Sequence, residues 1–286
     1  MPIDPAFLDE LERFDASLKR QTTALKQGEQ ESPDVGEGLT FSDYRRYVPG
    51  DDIRLVDWRV YARTEEYYVK QYEAERNLTV HLLIDASASM AFGEGDAHKF
   101  EFAAKLALGF AYLLADEGNE FRVSTFGRDH DRIDGGRSNR GELLRVIDVI
   151  NETEPSGNAD FEAVMETYAG TIGSRSLVVV ASDFLENPDE IESGLAALAD
   201  NDLVLAHVAA PDELAPEVRG DTRFEDPETS ETLRTYFGER LARRYRSRLD
   251  DHVADVSARA ETLRATHALV DTGSDFFDAF GSVWIG

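Results

Sequence analysis

Three oxygen-bearing side chains spaced two residues apart, Asp85, Ser87 and Ser89, are the group in this sequence best suited to bind a ligand. They follow a largely apolar run, residues 79–84, which is short enough to form one buried strand. Small alanines separate them, so the chain can turn tightly and the three oxygens can converge. One carboxylate and two hydroxyls suit a hard divalent cation such as Mg²⁺ better than a soft metal. The alternative is a serine-rich loop in which Asp85 caps the following helix.

A second apolar run ends in the same way. Residues 177–181 lead into Ser182 and Asp183. In a parallel sheet, Asp85 and Asp183 would emerge at the same edge, where open α/β sheets bind their ligands. Asp183 is therefore a candidate fourth ligand of the cation. Its alternative role is to cap a helix over 188–199, as an aspartate that follows a strand often does.

The alternation of apolar strands and amphipathic helices predicts a doubly wound α/β fold, with a mostly parallel sheet and helices on both faces. It divides the chain into an N-terminal helical and extended arm, residues 1–76, and an α/β domain, residues 77–286, with a hairpin inserted near 218–235. The hydrophobic periods predict helices over 4–27, 97–116, 141–150, 161–169, 188–199, 237–265 and 275–283, and strands over 66–76, 79–85, 121–126, 177–184, 203–209 and 267–270.

Composition narrows the possible functions. The chain has 57 acidic and 30 basic residues, a formal net charge of -27 and only five lysines, so its surface would repel nucleic acid. Such acidity is typical of a protein adapted to high salt. Without cysteine, the chain can form no disulfide, zinc–thiolate site or catalytic thiol. We expect a cytoplasmic protein with no membrane span, because the N-terminus lacks the features of a signal peptide and the longest apolar stretch is too short.

Residues 41–63 are dense in arginine, aspartate and aromatic side chains, and their charges alternate closely. This pattern suits Arg–carboxylate pairs that fix the segment to its own domain. It also suits a docking surface for a partner protein. The residues that such a surface would present are Arg45, Asp51, Asp52, Arg54, Asp57 and Trp58.

The same segment carries a family resemblance. Residues 41–58 read Phe-Ser-Asp-Tyr-Arg-x-Tyr-x-Pro-Gly-Asp-Asp-x-Arg-x-x-Asp-Trp, and Ala62-Arg63 and residues 70–75 follow. Together they resemble the signature of the family catalogued as domain of unknown function 58. In that family the signature precedes a von Willebrand factor A-like domain that opens with Asp-x-Ser-x-Ser, the metal-ion-dependent adhesion site. The order and spacing in this chain match that arrangement.

The resemblance implies that Asp85, Ser87, Ser89 and Asp183 hold Mg²⁺ or another divalent cation. It also implies a partner, because this family commonly accompanies MoxR-type AAA+ ATPases. One position departs from the family's pattern. The usual metal-binding threonine is replaced by Ala159, which has no side-chain oxygen, so the substitute would have to be water or one of its neighbours Ser156, Asn158 and Asp160.

Three functions follow as hypotheses. The first is a non-enzymatic, cation-dependent interaction module in which a partner's carboxylate completes the metal shell, as an adaptor for a MoxR-type ATPase. The second is a metal-free scaffold that docks through residues 41–63, which Ala159 favours. The third, a metal-dependent hydrolase, is weaker, because no side chain is marked out as its general base. The sequence has no P-loop, no His-Glu-x-x-His and no Gly-x-Ser-x-Gly, and Ser87 stands where an aspartyl phosphatase would need a second aspartate.

Overall fold

A computed structural model describes the backbone of residues 2–26, 39–46, 68–74, 78–216, 218–229 and 231–285, and the side chains of residues 2–19, 78–216, 218–229 and 231–284. The chain divides into two compact units, one formed by Met1–Leu18 and Leu78–Gly286 and the other by Lys19–Asn77. In the second unit, β1 (Leu39–Arg46) pairs antiparallel with β2 (Tyr68–Ala74). Arg45 lies in β1, whereas the other five residues predicted for docking lie outside the described residues.

The first unit is built on a six-stranded sheet. Its strands are β3 (Thr79–Asp85), β4 (Glu120–Phe126), β5 (His130–Arg132), β6 (Leu177–Ser182), β7 (Asp202–Ala209) and β10 (Thr266–Asp271). They lie in the order β10-β7-β6-β3-β4-β5, and only β5 runs antiparallel to its neighbour. A separate antiparallel hairpin, β8 (Gly220–Glu225) and β9 (Thr232–Phe237), follows β7 along the chain.

The described helices cover both faces of this sheet. They are α1 (Phe7–Lys26), α2 (Lys99–Asp116), α3 (Arg140–Glu152), α4 (Phe161–Ala169), α5 (Pro188–Ala197), α6 (Pro211–Leu214), α7 (Glu239–Thr262) and α8 (Phe276–Ile285). None of those in the described part of the chain is long and apolar enough to cross a membrane.

Two apolar cores lie on opposite faces of the sheet, because successive strand side chains point to opposite faces. In β6, Val179 and Ala181 join a core with α2, α3, α8 and the start of α1, while Val178 and Val180 join a second core with α4, α5 and α7. A strand that is buried on both faces reads as a continuous apolar run, which is why this strand could be identified from the sequence.

The predicted doubly wound α/β fold is confirmed by this mostly parallel sheet with helices on both faces. Every predicted helix and strand of the sheet is present. The main differences are at the ends, where the helix predicted over 237–265 spans Glu239–Thr262 and the helix predicted over 188–199 spans Pro188–Ala197. The polar stretch 128–140 contains the short strand β5.

Candidate cation site at the carboxyl edge of the sheet

The predicted ligands meet at the point where the sheet reverses its strand order. From β3 the chain builds outward through β4, and from β6 it builds in the opposite direction through β7, so the neighbours β3 and β6 flank the switch point. Ligands of open α/β sheets bind outside the carboxyl ends of the strands at this point. Asp85 is the last residue of β3, and Asp183 directly follows β6.

Asp85 is fully buried and held on both oxygens. Its Oδ1 accepts a hydrogen bond from the backbone N–H of Ser87 at 2.8 Å, and its Oδ2 accepts one from the Ser182 hydroxyl at 2.6 Å. Burial and the nearby charge of Asp183 nevertheless raise the pKa of Asp85 to about 7. The negative charge on this carboxylate is therefore poorly neutralised.

The two serine hydroxyls lie side by side, with Ser87 Oγ and Ser89 Oγ 3.0 Å apart and both side chains buried. A second loop supports them through the backbone. The Ala88 N–H donates to the carbonyl of Gly157 at 2.8 Å, and the Ser156 N–H donates to the carbonyl of Ala86 at 2.9 Å. These two hydrogen bonds fix the turn that makes the hydroxyls converge.

The turn after β6 has an unusual backbone. Phe184 is a buried non-glycine residue with a φ of 45°, in the left-handed region. Three contacts hold it there: its N–H donates to Ser182 Oγ at 3.0 Å, its carbonyl lies 2.6 Å from His252 Nε2, and its ring packs against Phe161. Strained residues of this kind cluster at functional sites, and this one determines where Asp183 is presented.

Asp183 already has a cationic partner. Lys99, at the start of α2, is fully buried, and its Nζ donates to Asp183 Oδ2 and to Glu213 Oε1, both at 2.7 Å. Burial alone would lower the pKa of Lys99, but the charges and hydrogen bonds of these two carboxylates raise it. Glu213 is fixed in turn, because its Oε2 accepts the N–H of Ala210 at 2.8 Å.

Two further carboxylates approach the site. Burial and the charges of Asp85, Asp183 and Glu228 raise the pKa of Glu186 to about 8, and its buried Oε2 has no hydrogen-bond partner among the residues that the structure describes. Glu228, at the tip of the β8–β9 hairpin, is half-buried, and the Ser89 side chain and the charge of Asp183 both act on its carboxylate. Burial and the charge of Asp183 raise the pKa of Glu228 too.

Local contacts show which of the alternative roles predicted for Asp183 and for the loop around Ala159 the structure supports. Asp183 does not cap the following helix, because the cap of α5 is Asn187, whose side chain accepts the N–H of Asp189. Ala159 packs against the apolar core beneath α4. Asp160 caps α4 by accepting the N–H of Ala163 at 3.3 Å, and Ser156 is exposed.

The residues present fit a hard cation in part. Mg²⁺ binds oxygens at about 2.0–2.1 Å in an octahedron, whose neighbouring ligands lie about 3 Å apart. The Ser87–Ser89 hydroxyl separation of 3.0 Å matches that edge. The orphaned oxygen of Glu186 and the raised pKa of Asp85 also indicate missing positive charge. Within the described residues, however, no three acidic or histidine side chains could hold a metal ion by themselves, so hydroxyls or water must contribute ligands.

Lys99, Glu186, Glu213 and Glu228 were not predicted as part of this site. Lys99 could have been found, because it is one of only five lysines and lies three residues before Phe102 and four before Ala103, on the buried side of α2. The three glutamates carry no such signal, since they are scattered among 57 acidic residues and come to the site only through the fold.

Comparison with known proteins agrees with the sequence resemblance. The family described as "Protein of unknown function DUF58" matches residues 43–257, well over half of the chain. Uncharacterised proteins from Mycobacterium bovis and from two strains of Mycobacterium tuberculosis are each 26% identical over 229 residues, which cover 79% of this chain and 72% of theirs.

Solved structures with similar folds are more distant. An aerotolerance-related membrane protein of Bacteroides fragilis, crystallised with multiple mutations to serines, superposes with a TM-score of 0.44 and 15% identity over 73% of this chain and 97% of that one. BatB of Bacteroides thetaiotaomicron superposes with a TM-score of 0.43 and 12% identity, over 73% of this chain and 100% of that one. A von Willebrand factor type A protein of Catenulispora acidiphila superposes with a TM-score of 0.42 and 12% identity, over 75% of this chain and 43% of that one.

Proposed function

This chain belongs to the DUF58 family, and we propose that it is a non-enzymatic protein-interaction module that works through a divalent cation. Asp85, Ser87, Ser89 and Asp183 would hold the ion, with Mg²⁺ as the first candidate. A carboxylate of a partner protein would then complete the shell. When bound, the cation would supply the positive charge that allows an acidic protein to bind an acidic group.

The observation that carries this proposal is the convergence of the four side chains at the switch point of the sheet. Asp85 and Asp183 end neighbouring strands, and the Ser182 hydroxyl links the two strand ends by its 2.6 Å hydrogen bond to Asp85. The two serine hydroxyls lie 3.0 Å apart next to Asp85. A hydrogen-bonded loop that served only to connect elements would not need three buried oxygen ligands in this arrangement.

The charge of the site supports the same conclusion. Lys99 lies between Asp183 and Glu213, so it does not offset the charge of Asp85 or Glu186, whose pKa values are raised to about 7 and about 8. A divalent ion would provide the missing positive charge. Because cation and protons compete for the same carboxylates, binding should release protons near neutral pH.

We propose that the partner is a MoxR-type AAA+ ATPase, for which this protein would act as an adaptor. The support is the family signature at residues 41–58. With a net charge of -27, the protein would repel an acidic segment of any partner. A bridging cation is a direct way to turn that repulsion into a specific contact.

Calorimetry on the full chain tests the cation site. Mg²⁺ is titrated into chelator-treated protein in high salt, with Asp85→Ala and the matched control Asp129→Ala. Asp129 is an exposed aspartate in the β4–β5 turn at the same edge of the sheet. Saturable heat in the wild type and in Asp129→Ala, lost in Asp85→Ala, is the expected result. Equal or absent heat in all three proteins would refute the proposal.

One observation favours a second candidate, a metal-free scaffold. The ammonium of Lys99 lies 2.7 Å from Asp183 and so already occupies one place where a cation would bind. If Lys99 has replaced the metal, Mg²⁺ will not change the melting temperature, because only a ligand that binds the native state stabilises it. A melting temperature that rises with Mg²⁺ concentration and depends on Asp85 would exclude this candidate.

A further inference from the structure

The first half of α7 concentrates positive charge that the proposed function does not use. Residues 240–249 contain five arginines and no acidic residue, although acidic residues outnumber basic ones by 57 to 30 in the whole chain. At about 100° per residue, four of these arginines fall on the side of the helix opposite the buried Ala242, Val256 and Ala260. We call this surface the arginine face, and its members are Arg240, Arg243, Arg244 and Arg248.

The arginine face projects beyond the sheet, because α7 is longer than the strands it covers. Its 24 residues span roughly 36 Å, whereas the 6 residues of β10 span roughly 20 Å. The helix ends at Thr262, shortly before β10 begins, so its last turn lies at the amino edge of the sheet. The excess of about 16 Å therefore lies past the carboxyl edge and corresponds to residues 239–249. His252 agrees with this placement, since its Nε2 lies 2.6 Å from the carbonyl of Phe184, which follows β6 at that edge.

The four side chains of the arginine face are exposed, and none of them forms a hydrogen bond or an ion pair with the residues that the structure describes. Arg259, in the last turn of the same helix, provides the contrast. It forms ion pairs with three carboxylates, those of Asp189, Glu192 and Asp255. Where an arginine of this helix stabilises the fold, the fold supplies carboxylates for it.

The position of these arginines is unfavourable for the helix itself. Arg244 has a like charge four residues away on either side, in Arg240 and Arg248, and such pairs repel each other on a helix surface. Arg240 also lies in the first turn, where the helix dipole disfavours positive charge. Stability of the free protein does not account for this arrangement. A ligand that brings negative charge does.

We propose that the arginine face is a docking surface for a short acidic segment of a partner protein. Arginine suits this ligand because its guanidinium forms two parallel hydrogen bonds with one carboxylate. The ring of Tyr236, which is 74% exposed, lies against Gly238 at the start of α7 and would pack on an apolar side chain of the segment. Tyrosine and arginine are both enriched at protein interfaces. Because the surface needs no metal, this proposal does not depend on the cation site.

The size of the arginine face favours a short acidic segment over a nucleic acid or an anionic membrane. Arg240 and Arg248 are about 12 Å apart along the helix, which matches roughly four residues of an extended chain. A longer polyanion would also lie over the neighbouring surface of a protein whose net charge is -27, and would be repelled there. A short segment stays within the basic surface and avoids that repulsion.

Fluorescence anisotropy on the full chain tests this proposal, in chelator and with the labelled peptide Glu-Glu-Tyr-Asp-Glu-Leu-Glu-Glu as the probe. The variant combines Arg240→Glu with Arg244→Glu. The matched control combines Arg128→Glu with Arg137→Glu, two exposed arginines that also lack ion pairs with the described residues and change the net charge equally. We expect the wild type and the control to bind the probe, and the variant to bind it at least about tenfold more weakly, the effect of about 1.4 kcal/mol.

Thermal unfolding separates docking from a structural role. The melting temperature of the variant should be unchanged or higher, because it removes repulsion between like charges. The milder pair, Arg240→Gln with Arg244→Gln, should lose affinity in the same direction, and it replaces the first variant if that one does not fold. A melting temperature that falls by more than about 4 °C in the Gln pair would show that the arginines support the fold and would overturn the proposal.

The remaining outcomes are equally decisive. Equal or absent binding of the peptide in the wild type, the variant and the control would refute the arginine face as a docking surface. Tighter binding of single-stranded oligothymidylate or of phosphatidylglycerol vesicles than of the peptide would mean that the partner is not a protein. Asp85→Ala should bind the peptide as the wild type does, so that failure of the cation site and failure of the arginine face are distinguished.

Discussion

Two buried aspartates on the same sheet have opposite electrostatic surroundings. Asp134, beyond β5, accepts hydrogen bonds from the N–H groups of Val123 and Gly136 and a two-pronged contact from Arg132. Burial alone would raise the pKa of Asp134, but these donors outweigh it and lower the pKa. Asp85 is held by the backbone N–H of Ser87 and by serine hydroxyls, none of which carries a charge, and its pKa rises to about 7.

The opposite pKa shifts distinguish Asp134, a structural carboxylate, from Asp85, a carboxylate that lacks a counter-ion. Asp134 has the guanidinium of Arg132, at the end of β5, so its charge is satisfied within the fold. Asp85 is at least as buried, yet no cationic side chain contacts it among the described residues. Folding does not select for an unsatisfied charge, so its presence at the switch point of the sheet is best explained by a ligand.

The largest expected effect comes from removing the ammonium group of Lys99, which is the positive charge next to Asp183. Lys99→Met leaves the buried Asp183 and the half-buried Glu213 without their partner, which should lower the free energy of unfolding by about 3–5 kcal/mol. Urea denaturation measures it. The control is Lys105→Met on the same helix, where the pair with the exposed Asp96 is 3.8 Å long and should be worth about 0.5 kcal/mol or less.

Lys99→Met also makes the surroundings of Asp183 resemble those of Asp85, because each carboxylate then lacks a positively charged side chain. If metal and ammonium compete for Asp183, Mg²⁺ should restore part of the lost stability in this variant. A loss below about 1 kcal/mol, or a variant that Mg²⁺ does not affect, would contradict the view that Lys99 is a built-in counter-ion of the site.

A matched pair of substitutions tests the comparison directly. In Asp134→Asn, the new NH₂ group must face either Arg132 and Val123 or Arg132 and Gly136, which are all donors, so we expect a loss of about 2–3 kcal/mol. In Asp85→Asn, the NH₂ group can face Ser182 Oγ while the oxygen still accepts from Ser87.

Because Asp85→Asn also removes an uncompensated charge, we expect the metal-free variant to gain about 1 kcal/mol at pH 8. Chemical denaturation of both variants in chelator measures the two changes. Equal destabilisation of Asp134→Asn and Asp85→Asn would show that the two carboxylates play the same structural role.

The last expected effect is a dependence on pH. The pKa values of Asp85 and Glu186 are raised in the folded state, from 3.8 to about 7 and from 4.5 to about 8. In this range the native protein holds more protons than the unfolded chain, so their contribution to stability is full below about pH 4 and is lost as the pH rises through 7–8. Mg²⁺ should reverse that loss.

The corresponding measurement is the rise in melting temperature on adding Mg²⁺, which should be several degrees larger at pH 8.5 than at pH 5.5. Buffers with different heats of ionisation should report proton release when Mg²⁺ binds at pH 7. Asp85→Asn serves as the control, since it removes one of the two titrating groups. An equal rise at both pH values would mean that these carboxylates do not take up the ion.

The sequence predicted the fold and the places of the two candidate aspartates for identifiable reasons. Buried strands such as β3 and β6 are short apolar runs, and one aspartate stands at the carboxyl end of each, so local pattern and parallel topology suffice. The loop that carries Ala159 was also located correctly, because it follows from the order of elements. Segment 41–63, where the alternative docking surface was predicted, lies largely outside the described residues.

What could not be predicted depends on contacts between distant parts of the chain. Lys99 reaches Asp183 across 84 positions and Glu213 across 114. The approach of Glu228 to Ser89 depends on where a hairpin lies after folding, and no periodicity contains that information. The left-handed backbone at Phe184 is likewise imposed by its neighbours, since a bulky residue disfavours that conformation.

The order in which these parts are synthesised has a consequence for the newly made protein. Asp85, Ser87 and Ser89 leave the ribosome long before Asp183, and the hairpin glutamate leaves later still. Loop closure between such distant segments is slow, so the oxygen cluster can be completed only after most of the domain has assembled. A nascent or truncated chain would therefore not present a finished site, and partner capture would report that folding is complete.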